Sequence, residues 1–290
     1  MAEAGIARGG EHVYSGTEEA MAYDRAARAL SDRSKLKPVA VLGYGKDPAQ
    51  KTEIYRPHAV EPTEPLPVLG FLHGGAWIAG GFQWLRFMAE AVVAQPAIFA
   101  AVTYRLAPNH KWPSQLEDGI GALRLIQARI SDYGGDPDRI VLGGHSAGGQ
   151  IAAMTVLSRQ AAPVHACMPV SAPMDLRYGG VASDTGKGRV YRFLFRAAQD
   201  DAGASPICAL AGNRTPFHLM WGACDFDHIR DSSARMCDAL RDAGQPVTST
   251  IEPGAGHFDT HLRLNSPNDD WYRAFRGLAG RPGRSVGACA

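Results

Sequence analysis

An α/β domain, with a mostly parallel eight-stranded sheet flanked by helices, is the fold class this sequence predicts. Three observations carry it. Short apolar runs alternate with amphipathic segments along most of the chain, the pattern of strands joined by crossover helices. Several of those runs are apolar at consecutive positions, as in strands covered on both faces. The 290 residues include Gly 33 and Pro 19, about 18% of the chain against roughly 12% on average. That excess requires many tight turns, yet it stays far from low complexity.

The elements follow in order. Residues 16–35 read as a polar-faced helix within an N-terminal helical segment of about 1–38. Strand-like runs lie at 39–44, 52–56, 68–72, 98–104, 140–143, 166–171, 217–221 and 247–251. Helical segments lie near 83–94, 113–133, 147–159 and 228–243; in the second, Leu116, Ile120, Leu123, Ile126 and Ile130 recur at three- and four-residue steps. Residues of about 175–205 break the rhythm and read as a small cap insertion over the sheet's edge. The last ten, about 281–290, read as a flexible tail. No repeat period and no composition break divides the chain, so one domain over 1–290 is expected.

Composition excludes several functions. With 45% hydrophobic and 20% charged residues and a net charge of +1, the chain has ample core. It offers no electrostatic case for nucleic acid or an anionic membrane. Its longest apolar stretch, 91–102, is interrupted by Gln95-Pro96 and is too short for a bilayer span. The first residues lack the apolar core of a secretory signal, and the five cysteines are an odd number without a CxxC pair. Reduced thiols in a cytoplasmic protein are therefore expected.

The chemistry is concentrated in two glycine-rich stretches. Gly144-His145-Ser146-Ala147-Gly148 follows an apolar strand and opens a small-residue helix. That context makes the G-x-S-x-G pattern a nucleophile elbow, with Ser146 raised above the sheet. Upstream, a strand ends in His73-Gly74-Gly75. The amides of Gly74, Gly75 and Ala147 can converge on the oxygen of a reacting carbonyl as an oxyanion hole, with His73 bracing the loop. A serine nucleophile needs a base and an orienting acid. In the chain order Ser…Asp…His the base falls in the loop after the last strand, at His257. Spacing leaves the acid open between Asp225 and Asp227, the other serving to cap the helix that begins near His228.

Two other patterns fail on inspection. Gly186-Lys187-Gly188 lacks both the glycine (Val181) and the hydroxyl residue (Gly188) of a phosphate loop. His257 and His261 have a metal-ligand spacing, but Phe258 stands where a zinc hydrolase needs glutamate. No metal or cofactor is expected.

With those residues placed, the chain resembles the α/β-hydrolase serine esterases, in the kynurenine formamidase-like and small carboxylesterase (hormone-sensitive-lipase-like) group. The matching pieces are YGKDPAQKTEIYRP, HGGAW, YRLAP (104–108), YGGDPDRI, GHSAGG, Asp175-Leu176, Ser205-Pro206 and HFD (257–259). They span about 40–280, and the tyrosine-bearing N-terminal helix also matches. The resemblance implies Ser146 as nucleophile, His257 as base and His73-Gly74-Gly75 as the oxyanion loop. For the acid, formamidase-like members point to Asp225 and hormone-sensitive-lipase-like ones to a pattern similar to 227–231; Asp225 is preferred.

The expected reaction is hydrolysis of small carboxylic esters, aromatic-bearing by the rings around the elbow: Trp77, Phe82, Trp84, Phe193, Phe195 and Phe258. Arylformamidase activity on an N-formyl arylamine is the alternative, and a non-catalytic ligand-binding protein on this fold a remote one. A homodimer is a family-level expectation only.

Overall fold

The computed structural model describes residues 17–57, 64–179 and 186–280. The expected tail at 281–290, the start of the N-terminal segment and part of the expected cap (180–185) lie outside the described residues.

Eight strands form one sheet: β1 (Ala40–Gly43), β2 (Lys51–Tyr55), β3 (Leu66–Leu72), β4 (Ile98–Val102), β5 (Gly135–His145), β6 (Ala166–Val170), β7 (Phe217–Gly222) and β8 (Val247–Glu252). Their spatial order is β1-β2-β4-β3-β5-β6-β7-β8. The pairs β1–β2 and β2–β4 are antiparallel, and all pairs from β4 to β8 are parallel. Between them run α1 (Glu18–Arg33), α2 (Ala89–Val93), α3 (Ser114–Arg129), α4 (Ala147–Leu157), α5 (Gly186–Phe193), α6 (Asp200–Gly203), α7 (Asp227–Asp242), α8 (Asp259–Leu262) and α9 (Asp270–Ala279).

Side-chain alternation explains the two layers. On β3 and β4, Leu69, Phe71, Phe99 and Ala101 enter one core with Tyr23, Phe87, Trp271 and Phe275. Their neighbours Val68, Leu72, Ile98, Ala100 and Val102 enter the opposite core with Leu123, Ile126 and Ile151 of α3 and α4. Both faces are thus covered, which is why these strands read as continuous apolar runs.

Two details differ from the sequence expectation, and a third concerns the cap. The helix near 83–94 is two 3₁₀ turns (Phe82–Trp84 and Arg86–Met88) followed by the five-residue α2. Bulky side chains at Trp84, Leu85, Phe87 and Met88 are all buried, so this segment has no polar face for a long surface helix. Helix α9 was not anticipated, because its polar residues mask an apolar side formed by Trp271, Tyr272, Phe275 and Ala279; Asp269 caps it by accepting from the Trp271 amide. The described part of the cap segment reaches over the carboxyl ends of the strands, where Val190, Phe193 and Leu194 face the site described next. It is moored by Asp175, which pairs with Arg177 and Arg235, and by Ser205, whose hydroxyl accepts from the Leu176 amide. Those are the residues of the Asp175-Leu176 and Ser205-Pro206 matches. Among the described residues, no helix is long and apolar enough to cross a membrane.

Candidate active site

Strand β5 ends at His145 and α4 begins at Ala147, leaving Ser146 as a one-residue turn with φ 52° and ψ −120°. That is the left-handed side of the map, disfavoured for a residue with a Cβ. The strain is held by the Ser146 amide, which donates to the Val170 carbonyl at 2.9 Å, and by close packing beneath. A Cβ on Gly148 would be driven into the carbonyl oxygens of Leu72 and His73, so only glycine lets α4 start this near β3.

The serine hydroxyl lies 3.0 Å from His257 Nε2, and His257 Nδ1 lies 2.8 Å from Asp225 Oδ1. A carboxylate partner fixes the tautomer: Nδ1–H donates to Asp225, leaving the Nε2 lone pair toward Ser146. The acid and base loops are tied to each other, since the Ala223 amide donates to Glu252 and the Cys224 amide to Ala255. Burial opposes ionisation of Asp225, but the hydrogen bond and charge of His257, with help from Ser171 and the Phe226 amide, outweigh it. The carboxyl is held below its ordinary value. Asp227, the alternative acid, is elsewhere. Its side chain is 86% exposed and pairs with Arg230. The capping role expected of it is not made either, because Phe226 occupies the N-cap of α7 and Asp227 is already in the first turn.

Gly74 sits against the serine: a Cβ there would be 3.3 Å from that of Ser146. Neither Gly74 nor Gly75 gives its amide to an acceptor among the described residues, and Ala147, first in α4, has no intrahelical acceptor for its own. The loop's shape needs Gly75, at φ 113°. His73 does brace it: the ring donates from Nδ1 to the Gly74 carbonyl at 2.7 Å and stacks on Tyr104 at 4.3 Å. Tyr104 in turn donates to the His73 carbonyl, and the Ala107 amide to that of Trp77. The YRLAP run therefore buttresses the His73-Gly74-Gly75 loop.

Further histidines pack around His257. His145 Nε2 donates to the His257 carbonyl at 3.0 Å, His261 stacks on His145 at 4.6 Å, and the Tyr23 hydroxyl meets His261 Nδ1 at 2.8 Å. So the second histidine of the spacing considered for metal turns into the core. Burial holds His73 down at about 4; burial and the charge of His257 hold His145 at about 3. Both stay neutral in the folded chain while the unfolded chain takes up protons below about 6.5. Stability is therefore full above that pH and is lost as pH falls toward the folded values of the two. Urea midpoints should drop between pH 7 and pH 5; equal midpoints would contradict the assignment.

A cavity of about 550 Å³ opens over Ser146 and His257. Of the rings expected to line it, Trp77, Trp84, Phe193 and Phe258 do so. Phe82 and Phe195 do not. Phe82 packs on the core with the Arg86 guanidinium over its ring, and Phe195, past the end of α5, is fully buried against Tyr191. Sequence reasoning missed Tyr23, Tyr178, Phe226 and His228, which also line it. Phe226 was findable beside the acid; Tyr23 comes from α1, more than 100 residues from the elbow, with only its place in the resemblance as a signal.

Comparison with known proteins follows the same outline. A family model described as alpha/beta hydrolase fold matches residues 69–260. The chain is 30% identical to the esterase LipC of Mycobacterium tuberculosis over 234 residues, 74% of this chain and 58% of that protein. It is 35% identical to a probable isoprenylcysteine alpha-carbonyl methylesterase of Arabidopsis thaliana over 245 residues, 76% of this chain and 51% of the relative. The chain thus spans little more than half the length of these curated relatives. Among solved structures, an esterase from Pyrobaculum calidifontis superposes with a TM-score of 0.71 at 22% identity, covering 89% of each chain.

Proposed function

The chain belongs to the alpha/beta-hydrolase family, and from that premise we propose that it is a serine carboxylesterase for small esters bearing an apolar, aromatic group. The observation that carries the reading is the chain of contacts from Ser146 through His257 to Asp225 at the floor of a ring-lined cavity. His257 takes the Ser146 proton as the hydroxyl attacks the ester carbonyl. The oxygen of the tetrahedral intermediate rests on the amides of Gly74, Gly75 and Ala147. His257 then protonates the leaving alcohol, and water, activated by the same imidazole, releases the acid from Ser146.

The test is a rate comparison. Phenyl acetate should turn over faster than an aliphatic acetate of equal leaving-group pKa, and both far faster than N-formylkynurenine. Equal rates for the two acetates would remove the aromatic preference. Efficient formamide cleavage beside poor ester cleavage would replace the esterase by an arylformamidase.

A further inference from the structure

The Gly186-Lys187-Gly188 run, which fails as a phosphate loop, has a different place in the molecule: Lys187 lies in α5 at the rim of the cavity. Among the described residues that line the cavity, Lys187 is the only one with a permanent charge, and none carries a carboxylate. Its ammonium stands 5.1 Å from the centre of the Tyr178 ring, which holds it by a cation–π contact. No carboxylate among the described residues pairs with it. Tyr178 meets His228 edge-on at 5.8 Å, His228 stacks on Phe226, and Phe226 stacks on His257 at 4.6 Å. A line of rings thus leads from the imidazole beside Ser146 to one positive charge at the far wall. His228 adds no second charge, since burial, with the Lys187 ammonium, lowers it to about 4.

A cation with no carboxylate partner among the described residues, at the rim of an apolar cavity, favours an anion there and disfavours a cation. We infer that the preferred substrates are esters carrying a carboxylate at the end remote from the scissile bond, and that Lys187 selects them. This rests on the esterase reading. Which side of the ester bears the anion is decided by the test.

Two matched pairs serve. On the alcohol side, the acetate of 4-hydroxybenzoate is compared with that of 4-hydroxybenzamide. On the acyl side, the mono-4-nitrophenyl ester of adipic acid is compared with its methyl ester. The anionic member of at least one pair should have the higher kcat/KM, mainly through KM, by roughly two- to five-fold, the size of an exposed ion pair. Lys187→Gln should abolish that preference with neutral rates unchanged. Lys187→Arg should keep it, and added salt should shrink it. A preference for the neutral members, or an equal loss on both members in Lys187→Gln, overturns the inference while leaving the esterase intact. If no ester is hydrolysed and an organophosphonate does not label Ser146, the esterase reading itself falls and takes this inference with it.

Discussion

Ser146→Ala should leave a folded protein whose kcat on phenyl acetate is lower by a factor on the order of 10⁵–10⁶. The substitution removes only the oxygen, and alanine inherits a backbone already fixed by the Val170 bond and the tight start of α4. The thermal transition should therefore move little. What survives is the contribution of the oxyanion amides and of binding, with water in place of the hydroxyl. Initial rates on enzyme purified away from host esterases, with an unfolding scan on the same sample, check both halves. A variant that keeps more than about a hundredth of the activity would mean that the ester is cleaved without an acyl-serine.

Asp225→Asn should cost about 10⁴ in kcat, while Asp227→Asn should stay within a factor of about two. The reason is the direction of one proton. Asp225 Oδ1 accepts from His257 Nδ1 at 2.8 Å, whereas an asparagine amide can donate there and so stabilise the imidazole with its proton on Nε2. That tautomer faces Ser146 with a donor and cannot act as base. Asp227 touches Arg230 on the surface, and losing its charge affects only an exposed pair. Steady-state rates of the two variants separate the two acids. Equal small losses would say that the wrong loop had been placed at the site.

Much of this was legible in the sequence for physical reasons that can be named. Short apolar runs bounded by turn residues marked all eight strands, and those of β4, β6 and β7 are continuous because both faces are covered. The sharp turn at Ser146 and the His73-Gly74-Gly75 loop were readable because each requires a particular backbone, and glycine marks it: eleven of the 33 glycines lie in residues 70–81 and 134–149. The choice between Asp225 and Asp227 was not readable from spacing. Two residues in one turn differ only in which side of the chain faces the histidine, and the bonds between the β7 and β8 loops settle which of them lies beside it. The cavity walls were least legible. An aromatic residue in the sequence is equally suited to a core and to a pocket, and Phe195 went one way where Phe193 went the other.

Tyr23 also bears on where this molecule begins as a working unit. The family match starts at residue 69, so a chain begun at that residue would keep Ser146, Asp225 and His257 and look complete by its motifs. It would lack β1 and β2, and with them both antiparallel pairs of the sheet. It would also lose the ring that stacks on Phe258 at 4.9 Å, and the hydroxyl that bonds to His261 beneath the base. The stretch that the family model matches is therefore smaller than the stretch that builds the site, and trimming to residue 69 would expose one side of the cavity over Ser146 to water.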